Sequence, residues 1–371
     1  MRLKTITSIC TVTLCAVFLT GFGLWTILRT PDELSISERR TLATMPVLTF
    51  QDYLDGSFAT DFDAFAADQF PLRDRFRTIK AVFSYDILHK GDNNDVYIVD
   101  GYASRLDYPL SEDSIAHAAE RFAYLYDRYL RDAGSTCYLS VIPDKNVFLA
   151  AANGYPAVAY DTLIASLREK TDGYMTYIDI MDTLSIADYY KTDTHWRAEK
   201  LMDTANRLAD GLGVQLTDVY VEETLDVPFY GVYYGYAALP MEPDTISYLT
   251  NDTLSQCVVT NYETGETGET GGIYDFAKAA GKDPYEFFLS GPISYLTIEN
   301  PRADTDRELI VFRDSFASSI VPLLTSAYQK ITLLDIRYLA SAYLGSMVDF
   351  HGQDTLFLYS TSVLNSSETM K

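Results

Sequence analysis

The chain is poor in the residues that build disulfide frameworks and metal sites. Only four of its 371 residues are cysteines, and Cys10 and Cys15 both lie in an apolar N-terminal segment. Cys137 sits inside another apolar run, which favours a buried thiol, and no CxxC motif or Cys/His cluster occurs. The sequence therefore argues against a structural zinc site, and we expect neither a bound metal nor a cofactor.

Positive charge is also scarce. The chain has 29 Lys and Arg against 52 Asp and Glu, so its formal net charge is −23. A charge of this sign repels a phosphate backbone, so we expect no nucleic-acid partner. By contrast, tyrosine is abundant, with 29 residues. Aromatic rings with a polar tip suit a sugar-binding cleft, although tyrosine-rich extracellular domains without any ligand are the alternative.

Charge is absent altogether from Ile6 to Leu28, a run that follows the basic residues Arg2 and Lys4. A run of this length can span a bilayer, and the basic side is expected to stay in the cytoplasm. A cleaved signal peptide is the alternative, since it shares the basic start. The length of the run and the lack of a clear A-x-A site favour an uncleaved single-pass anchor at residues 1–29, with the main domain extracytoplasmic.

After a polar linker at 30–50, helical and strand patterns alternate along residues 51–371, which favours an α/β domain with a mostly parallel sheet. Residues 214–300 are rich in Tyr, Thr, Gly and Pro and predict a strand-rich insertion, in which the repeat at 264–272 forms an exposed or mobile loop. The predicted helices cover 52–70, 72–88, 112–131 and 161–169; the predicted strands cover 96–99, 136–142, 177–180, 309–312, 331–334 and 355–359.

An Arg-Asp-Ser-Phe stretch at 313–316 lies between two predicted elements. The apolar strand 309–312 precedes it, and a helix from Ala317 to Lys330, with Pro322 near its start, leads to the strand 331–334. Strand–helix–strand spacing requires a crossover, so we expect the two strands to be parallel. Ser315 then lies at the carboxyl end of a strand and the start of a helix, where backbone N–H groups can stabilise an oxyanion.

A second stretch, Thr-Asp-Thr-His-Trp at 192–196, supplies one of only four histidines. Residues i and i+2 share a side in an extended or turn conformation, so Asp193 can orient the imidazole of His195. The alternative is that the pair only caps the helix that follows. A serine hydroxyl needs a base, and the base needs an orienting group, so Ser315, His195 and Asp193 together form a candidate catalytic set.

Lys145 and Asn146 follow the predicted strand 136–142 through a Pro-Asp pair. Loops at strand ends are where α/β folds place ligands, so both residues are candidates for substrate binding or oxyanion stabilisation. An ordinary loop is the alternative.

These pieces resemble the bacterial DHHW protein family and are similar to the SGNH-hydrolase-like domains of periplasmic alginate O-acetyltransferases. The resemblance covers most of the chain after the N-terminal segment and implies a three-layer SGNH-hydrolase-like α/β domain. The matching stretches are Ser37-Glu38-Arg39-Arg40-Thr41-Leu42, Asp68-Gln69-Phe70-Pro71-Leu72-Arg73-Asp74, Asp193-Thr194-His195-Trp196, and Asp314-Ser315-Phe316 with Ile336-Arg337-Tyr338 behind it.

The resemblance implies that Ser315 is the nucleophile, His195 the general base and Asp193 its orienting carboxylate. Thr194 stands where the family name has its first histidine, as in the alginate-type proteins. Arg313 stands where the usual Gly-Asp-Ser turn has glycine, which makes it a further candidate for contact with the oxyanion or substrate.

The resemblance also implies a function: O-acyl transfer, with acetyl as the preferred group, to or from a cell-surface polysaccharide. A membrane-bound O-acyltransferase is the candidate acyl donor. Two alternatives stay open at this point. One is a carbohydrate esterase that uses water as acceptor, and the other is a catalytically inactive protein for glycan binding or assembly.

Overall fold

The computed structural model describes residues 2–265 and 267–371, with side chains from Thr5 onward. The chain divides into two compact units, residues 1–94 with 234–240 and residues 95–233 with 241–371. The α-helices are α1 (Arg2–Leu28), α2 (Phe50–Asp55), α3 (Ser57–Asp68), α4 (Arg73–Val82), α5 (Glu112–Leu125), α6 (Asn146–Leu149), α7 (Tyr160–Thr171), α8 (Met202–Gly211), α9 (Val232–Ala237), α10 (Asp252–Gln256), α11 (Phe276–Ala279), α12 (Ala317–Ile320) and α13 (Thr361–Leu364). The strands are β1 (Leu34–Ser35), β2 (Arg40–Thr41), β3 (Val96–Val99), β4 (Tyr102–Arg105), β5 (Cys137–Ile142), β6 (Thr176–Tyr177), β7 (Val221–Phe229), β8 (Asp244–Thr250), β9 (Val258–Asn261), β10 (Glu269–Gly271), β11 (Tyr295–Glu299), β12 (Glu308–Arg313), β13 (Lys330–Leu334) and β14 (Asp354–Ser360).

The larger unit is built on an eight-stranded sheet in the order β10-β9-β11-β13-β12-β14-β5-β6. The five strands from β13 to β6 run parallel, and β11, β9 and β10 extend the sheet antiparallel. Leu309 pairs with Ile331 and Phe312 with Leu334 in parallel register. The predicted mixed α/β fold and the parallel pairing of these two strands are therefore confirmed.

Both faces of the sheet are covered, which gives three layers. Along β12, Val311 packs into a core that includes Leu208 of α8, whereas Phe312 packs into another that includes Phe122 of α5 and Leu163 of α7. Strands buried on both faces are expected to be continuously apolar, as β12 is from Leu309 to Phe312. Because β5, β12 and β14 are parallel, their carboxyl ends lie at the same end of the sheet, the carboxyl end.

Several predicted bounds differ from the structure. The helix expected to reach Arg131 is α-helical to Leu125 and then widens into a π-helical segment, Tyr126–Leu130. The predicted strand 177–180 is wrong beyond Tyr177, because only Thr176 and Tyr177 pair with β5. The helix expected over 317–330 has one α-helical turn and then a 3₁₀ segment, Val321–Ala327, since Pro322 lacks the N–H that an α-helix needs.

The repeat at 264–272 lies at the surface in its described residues, as predicted. Glu266 is outside the described residues. Part of the repeat is regular, because β10 pairs with β9 at the edge of the sheet. An exposed edge strand with a charged residue and glycine is typical of a protected sheet edge.

In the smaller unit, Thr5–Leu28 is long and apolar enough to cross a membrane, with a mean hydropathy of 1.9, a criterion that an N-terminal signal sequence can also meet. The ring of Phe22 in this helix stacks on Phe70, with centroids 5.0 Å apart. The Ser-Glu-Arg-Arg-Thr-Leu stretch at 37–42 is held by ion pairs. Arg40 Nη1 donates to Asp68 at 2.8 Å, and this bond holds the pKa of Asp68 at about 2.

Candidate active site

Ser315 sits in a tight turn between β12 and α12. The hydroxyl-bearing residue is half-buried, whereas Asp314 and Phe316 on either side are buried. The Asp314 carboxylate accepts the N–H of Phe316 at 3.0 Å and the N–H of Ser360, at the end of β14, at 2.7 Å. Asp314 therefore ties the turn to the neighbouring strand and leaves Ser315 as the residue that faces outward.

Asp193 and His195 meet Ser315 at the carboxyl end of the parallel strands. His195 Nε2 lies 2.8 Å from Ser315 Oγ, and His195 Nδ1 lies 2.6 Å from Asp193 Oδ1. Asp193 is fully buried and also accepts the backbone N–H of His195 at 3.0 Å and of Val232 at 2.9 Å. A carboxylate can only accept, so Nδ1 carries the proton and the Nε2 lone pair faces the serine hydroxyl.

The histidine loop is fixed from both ends. Tyr189 and Trp196 form a β-bridge, and the backbone N–H of Thr192 donates to the Asp244 carboxylate at 2.7 Å. The indole N–H of the fully buried Trp196 donates to the carbonyl of Phe316 at 3.0 Å. Because Trp196 follows His195 and Phe316 follows Ser315, this bond links the two stretches directly and sets the distance between base and hydroxyl.

Arg313 lies inside the turn, fully buried. Its guanidinium donates to Ser318 Oγ at 3.0 Å, to the carbonyl of Ile293 at 2.8 Å and to the carbonyl of Asp314 at 3.4 Å. Burial lowers the pKa of Arg313. Since C=O and N–H point opposite ways across a trans peptide, a guanidinium on the Asp314 carbonyl turns the Ser315 N–H to the other side. Direct contact between Arg313 and an oxyanion stays a prediction.

Lys145 supports the loop that carries Asp193. The side chain is buried, and Nζ donates to the carbonyls of Tyr190 at 2.9 Å and Lys191 at 3.2 Å. The ammonium also lies over the Tyr233 ring, 4.9 Å from its centroid. Desolvation lowers the pKa of Lys145 to about 7. These bonds give it a supporting position, and its contact with substrate stays a prediction.

Asn146 is held within the protein. Its Oδ1 accepts the hydroxyls of Tyr97 at 2.6 Å and Ser104 at 3.0 Å, and its Nδ2 donates to the carbonyl of Arg105 at 2.6 Å. The amide therefore joins β3, β4 and α6. Its proposed role toward substrate or oxyanion also stays a prediction.

Two residues next to the site carry no signal in the sequence that links them to it. The ring of Tyr285 stacks on the imidazole of His195, with centroids 3.9 Å apart and planes 10° apart, and its hydroxyl bonds to Ser319. Gly231 packs against Asp193 so closely that an added Cβ would lie 2.3 Å from the Asp193 Cβ. Asp283-Pro284 before Tyr285 indicates only a helix start, which is what the structure has.

The larger unit is a three-layer α/β domain with a mostly parallel sheet, and solved structures share its fold. A DHHW family protein from Eubacterium siraeum is 21% identical over 75% of this chain and 95% of that chain, with a TM-score of 0.61. Bacillus cereus PatB1, solved with a sulfonyl adduct, is 18% identical over 72% of this chain and 95% of that chain, with a TM-score of 0.57. The predicted resemblance to the DHHW family is thus confirmed for the fold.

The O-acetyltransferase domain of Pseudomonas putida AlgJ is 14% identical over 73% of this chain and 92% of that chain, with a TM-score of 0.46. No protein-family model matches the chain, and no curated protein matches it by sequence.

Proposed function

We propose that this protein is a membrane-anchored serine O-acyltransferase that acts outside the cytoplasm on a cell-surface polysaccharide, with acetyl as the preferred acyl group. The observation that carries the proposal is the hydrogen-bond chain Ser315 Oγ–His195 Nε2–Nδ1–Asp193 Oδ1, with distances of 2.8 and 2.6 Å. Both distances are within the range at which a general base can take the proton of a nucleophile. The resemblance to alginate O-acetyltransferases supports the acyl group and the glycan.

In the proposed reaction Ser315 Oγ attacks the acyl carbonyl carbon while its proton passes to His195 Nε2. The tetrahedral intermediate collapses, the C–O bond to the donor breaks, and the imidazolium returns the proton to the leaving oxygen. An acceptor hydroxyl then loses its proton to Nε2 and attacks the acyl carbon. The bond from that carbon to Ser315 Oγ breaks, and the imidazolium returns its proton to Oγ, which regenerates the Ser315 hydroxyl. Asp193 holds Nδ1–H throughout and stabilises the imidazolium in both halves.

The developing oxyanion needs a donor that is already in place. The Phe316 N–H is bound to Asp314, so from the turn itself the Ser315 N–H is the available donor. Arg313 would hold that N–H outward through the Asp314 carbonyl. A buried cation behind the turn also lowers the energy of negative charge in front of it.

The net charge of −23 disfavours a strongly acidic glycan as acceptor. For the donor, we propose a membrane-bound O-acyltransferase that passes the acyl group to Ser315 outside the cytoplasm. The apolar helix Thr5–Leu28 would keep the protein at the same membrane.

An acceptor-competition experiment tests the function. The full-length chain in detergent is given p-nitrophenyl acetate and a panel of neutral and amino-sugar oligosaccharides, and both acetate and acetylated sugar are measured. We expect acetyl esters on at least one oligosaccharide, formed in competition with water. Acetate alone, unaffected by every acceptor, identifies a carbohydrate esterase. No turnover above buffer, combined with binding of an oligosaccharide, identifies the inactive glycan-binding alternative.

Tyr285→Leu is expected to lower the rate of p-nitrophenyl acetate cleavage by about 10-fold, whereas Tyr285→Phe is expected to stay within about 3-fold of wild type. The reason is that the ring face stacked on His195 is attracted to the imidazolium, an effect on the order of 1 kcal/mol. Phenylalanine keeps that face and loses only the bond to Ser319. The steady-state rate of each purified variant is the measurement.

Phe288→Leu is the matched control, because Phe288 packs on Tyr285 with centroids 5.2 Å apart and belongs to the same buried aromatic cluster. It is expected to lower the melting temperature with little change in rate. Equal rates for the Leu and Phe variants at position 285 would show that the stacked ring does not act on the imidazolium.

A further inference from the structure

The segment that follows the N-terminal helix exposes an unusual amount of apolar surface. Outside that helix, fifteen of the exposed large apolar side chains lie between residues 34 and 88, and nine lie in all the rest of the described chain. Single exposed apolar side chains are normal on a soluble protein, but a concentration of them marks a surface that contacts something else.

Part of this surface forms one line along α4 and its π-helical continuation Phe83–Ile87. Five side chains, spaced three or four residues apart, make up this apolar stripe, whereas Ala81 and Ser84 on the same helix are buried. The stripe consists of Leu72 (42% exposed), Phe76 (37%), Ile79 (63%), Phe83 (50%) and Ile87 (61%).

The stripe begins beside the apolar N-terminal helix. The ring of Phe76 packs on Phe22 and on Phe18, with centroids 5.8 and 6.4 Å apart. Phe22 lies six residues before Leu28, where the apolar run ends, which is about 9 Å along a helix at about 1.5 Å per residue. A side chain in contact with Phe22 therefore lies at a level inside the apolar run, about 9 Å before its end at Leu28.

Basic residues border the stripe. On a helical wheel Arg75 falls on one side of it, together with Asp86, and Lys80 falls on the other, and all three are exposed. Long basic side chains next to an apolar face are typical of helices that lie in the membrane interface, where their charged ends reach anionic headgroups while the apolar face enters the acyl region.

We propose that the apolar stripe of α4 is seated in the outer leaflet of the membrane that α1 spans, as a second membrane contact of this protein. The proposal rests on the proposed anchor, since the depth of Phe76 is set by its contact with Phe22. Lipid is the occupant because the stripe continues the apolar surface of α1 through the contact of Phe76 with Phe22, and because Arg75 and Lys80 lie on its two sides.

Site-directed spin labelling of the full-length chain in vesicles of phosphatidylethanolamine and phosphatidylglycerol tests this inference. Ile79→Cys and Phe83→Cys are each made in a Cys10→Ser, Cys15→Ser background, in which the remaining cysteines, Cys137 and Cys257, are buried. The measurement is the ratio of each label's collision rate with oxygen, which dissolves in lipid, to its collision rate with a water-soluble nickel complex. We expect this ratio to be at least about 3-fold higher for the labels at 79 and 83 than for a label at an aqueous site.

The aqueous reference is Val219→Cys in the same background, since Val219 is apolar and 85% exposed in the larger unit. The lipid reference is a label on native Cys15 in a Cys10→Ser variant, since Cys15 is exposed on α1. If the labels at 79 and 83 behave like the label at 219 while the label at Cys15 is in lipid, the membrane contact of the stripe is wrong and the anchor is retained. An aqueous reading at Cys15 overturns both. Labels at 79 and 83 shielded from both reagents indicate a protein partner or a second copy and also overturn it.

Discussion

Ser315→Ala and His195→Ala are each expected to lower the rate of p-nitrophenyl acetate cleavage by a factor on the order of 10³ or more, and the double variant is expected to be little worse. Each single change breaks the 2.8 Å bond between Oγ and Nε2, so the remaining partner has nothing to act on. Steady-state rates of the three purified variants are the measurement. Additive losses would show that the two side chains do not work as a unit.

The same variants can be checked without turnover. A serine made nucleophilic by a neighbouring base is expected to react with a sulfonyl fluoride, and peptide mass spectrometry should find the adduct on Ser315. His195→Ala should abolish labelling. Ser326→Ala and His351→Ala are the matched controls, because these residues precede the amino ends of the parallel strands β13 and β14, away from the carboxyl ends. Both variants should label and turn over like wild type. An adduct on another serine would overturn the assignment of the nucleophile.

The parts of the site that the sequence predicted are those carried by short stretches. The Asp-Ser-Phe turn follows an apolar run, and the Asp-x-His pair precedes an amphipathic helix, so local pattern placed each one at the end of an element. Local pattern did not bring them together across 120 residues: Ser315 follows β12, whereas the His195 stretch follows β6, three strands away in the sheet.

The parts that were not predicted depend on contacts between segments far apart in the chain. Val232 donates to Asp193 across 39 residues, and Tyr285 reaches His195 from a short 3₁₀ helix, Pro284–Phe287, 90 residues further along the chain. No periodicity encodes such contacts. The same holds for β9 and β11, which lie in the Tyr- and Gly-rich segment yet extend the central sheet.

Arg313 shows that residue type alone does not reveal burial, and its contact with an oxyanion stays a prediction. A cation beside a candidate nucleophile suggests direct contact with an anionic intermediate. In the structure its guanidinium is turned inward, onto Ser318 and the carbonyl of Ile293. Burial of a charged side chain depends on having enough acceptors around it, and those come from segments that the sequence does not place.

Asp193→Asn is expected to lower the rate by a factor of about 10³ to 10⁴ while the fold is kept. The carboxylate accepts three N–H groups, from His195 Nδ1, from the His195 backbone and from Val232. Both His195 groups donate to Oδ1, whereas the Val232 N–H donates to Oδ2, so an amide that places its oxygen toward Val232 presents its NH₂ to Nδ1. That favours the other neutral tautomer, with the proton on Nε2, so His195 cannot accept the proton of Ser315.

Nitrogen-15 NMR of histidine-labelled protein reports this change directly, and with only four histidines the His195 signals can be assigned by comparison with His195→Ala. We expect Nδ1 protonated in the wild type and Nε2 protonated in Asp193→Asn. Asp244→Asn is the control, because Asp244 anchors the same loop through the backbone of Lys191 and Thr192 but does not bond to the imidazole in the described structure. It should loosen the loop, lower the rate by less than about 10-fold and leave the tautomer unchanged. A wild-type tautomer in Asp193→Asn, or equal losses from both variants, would mean that Asp193 supports the loop rather than the proton transfer.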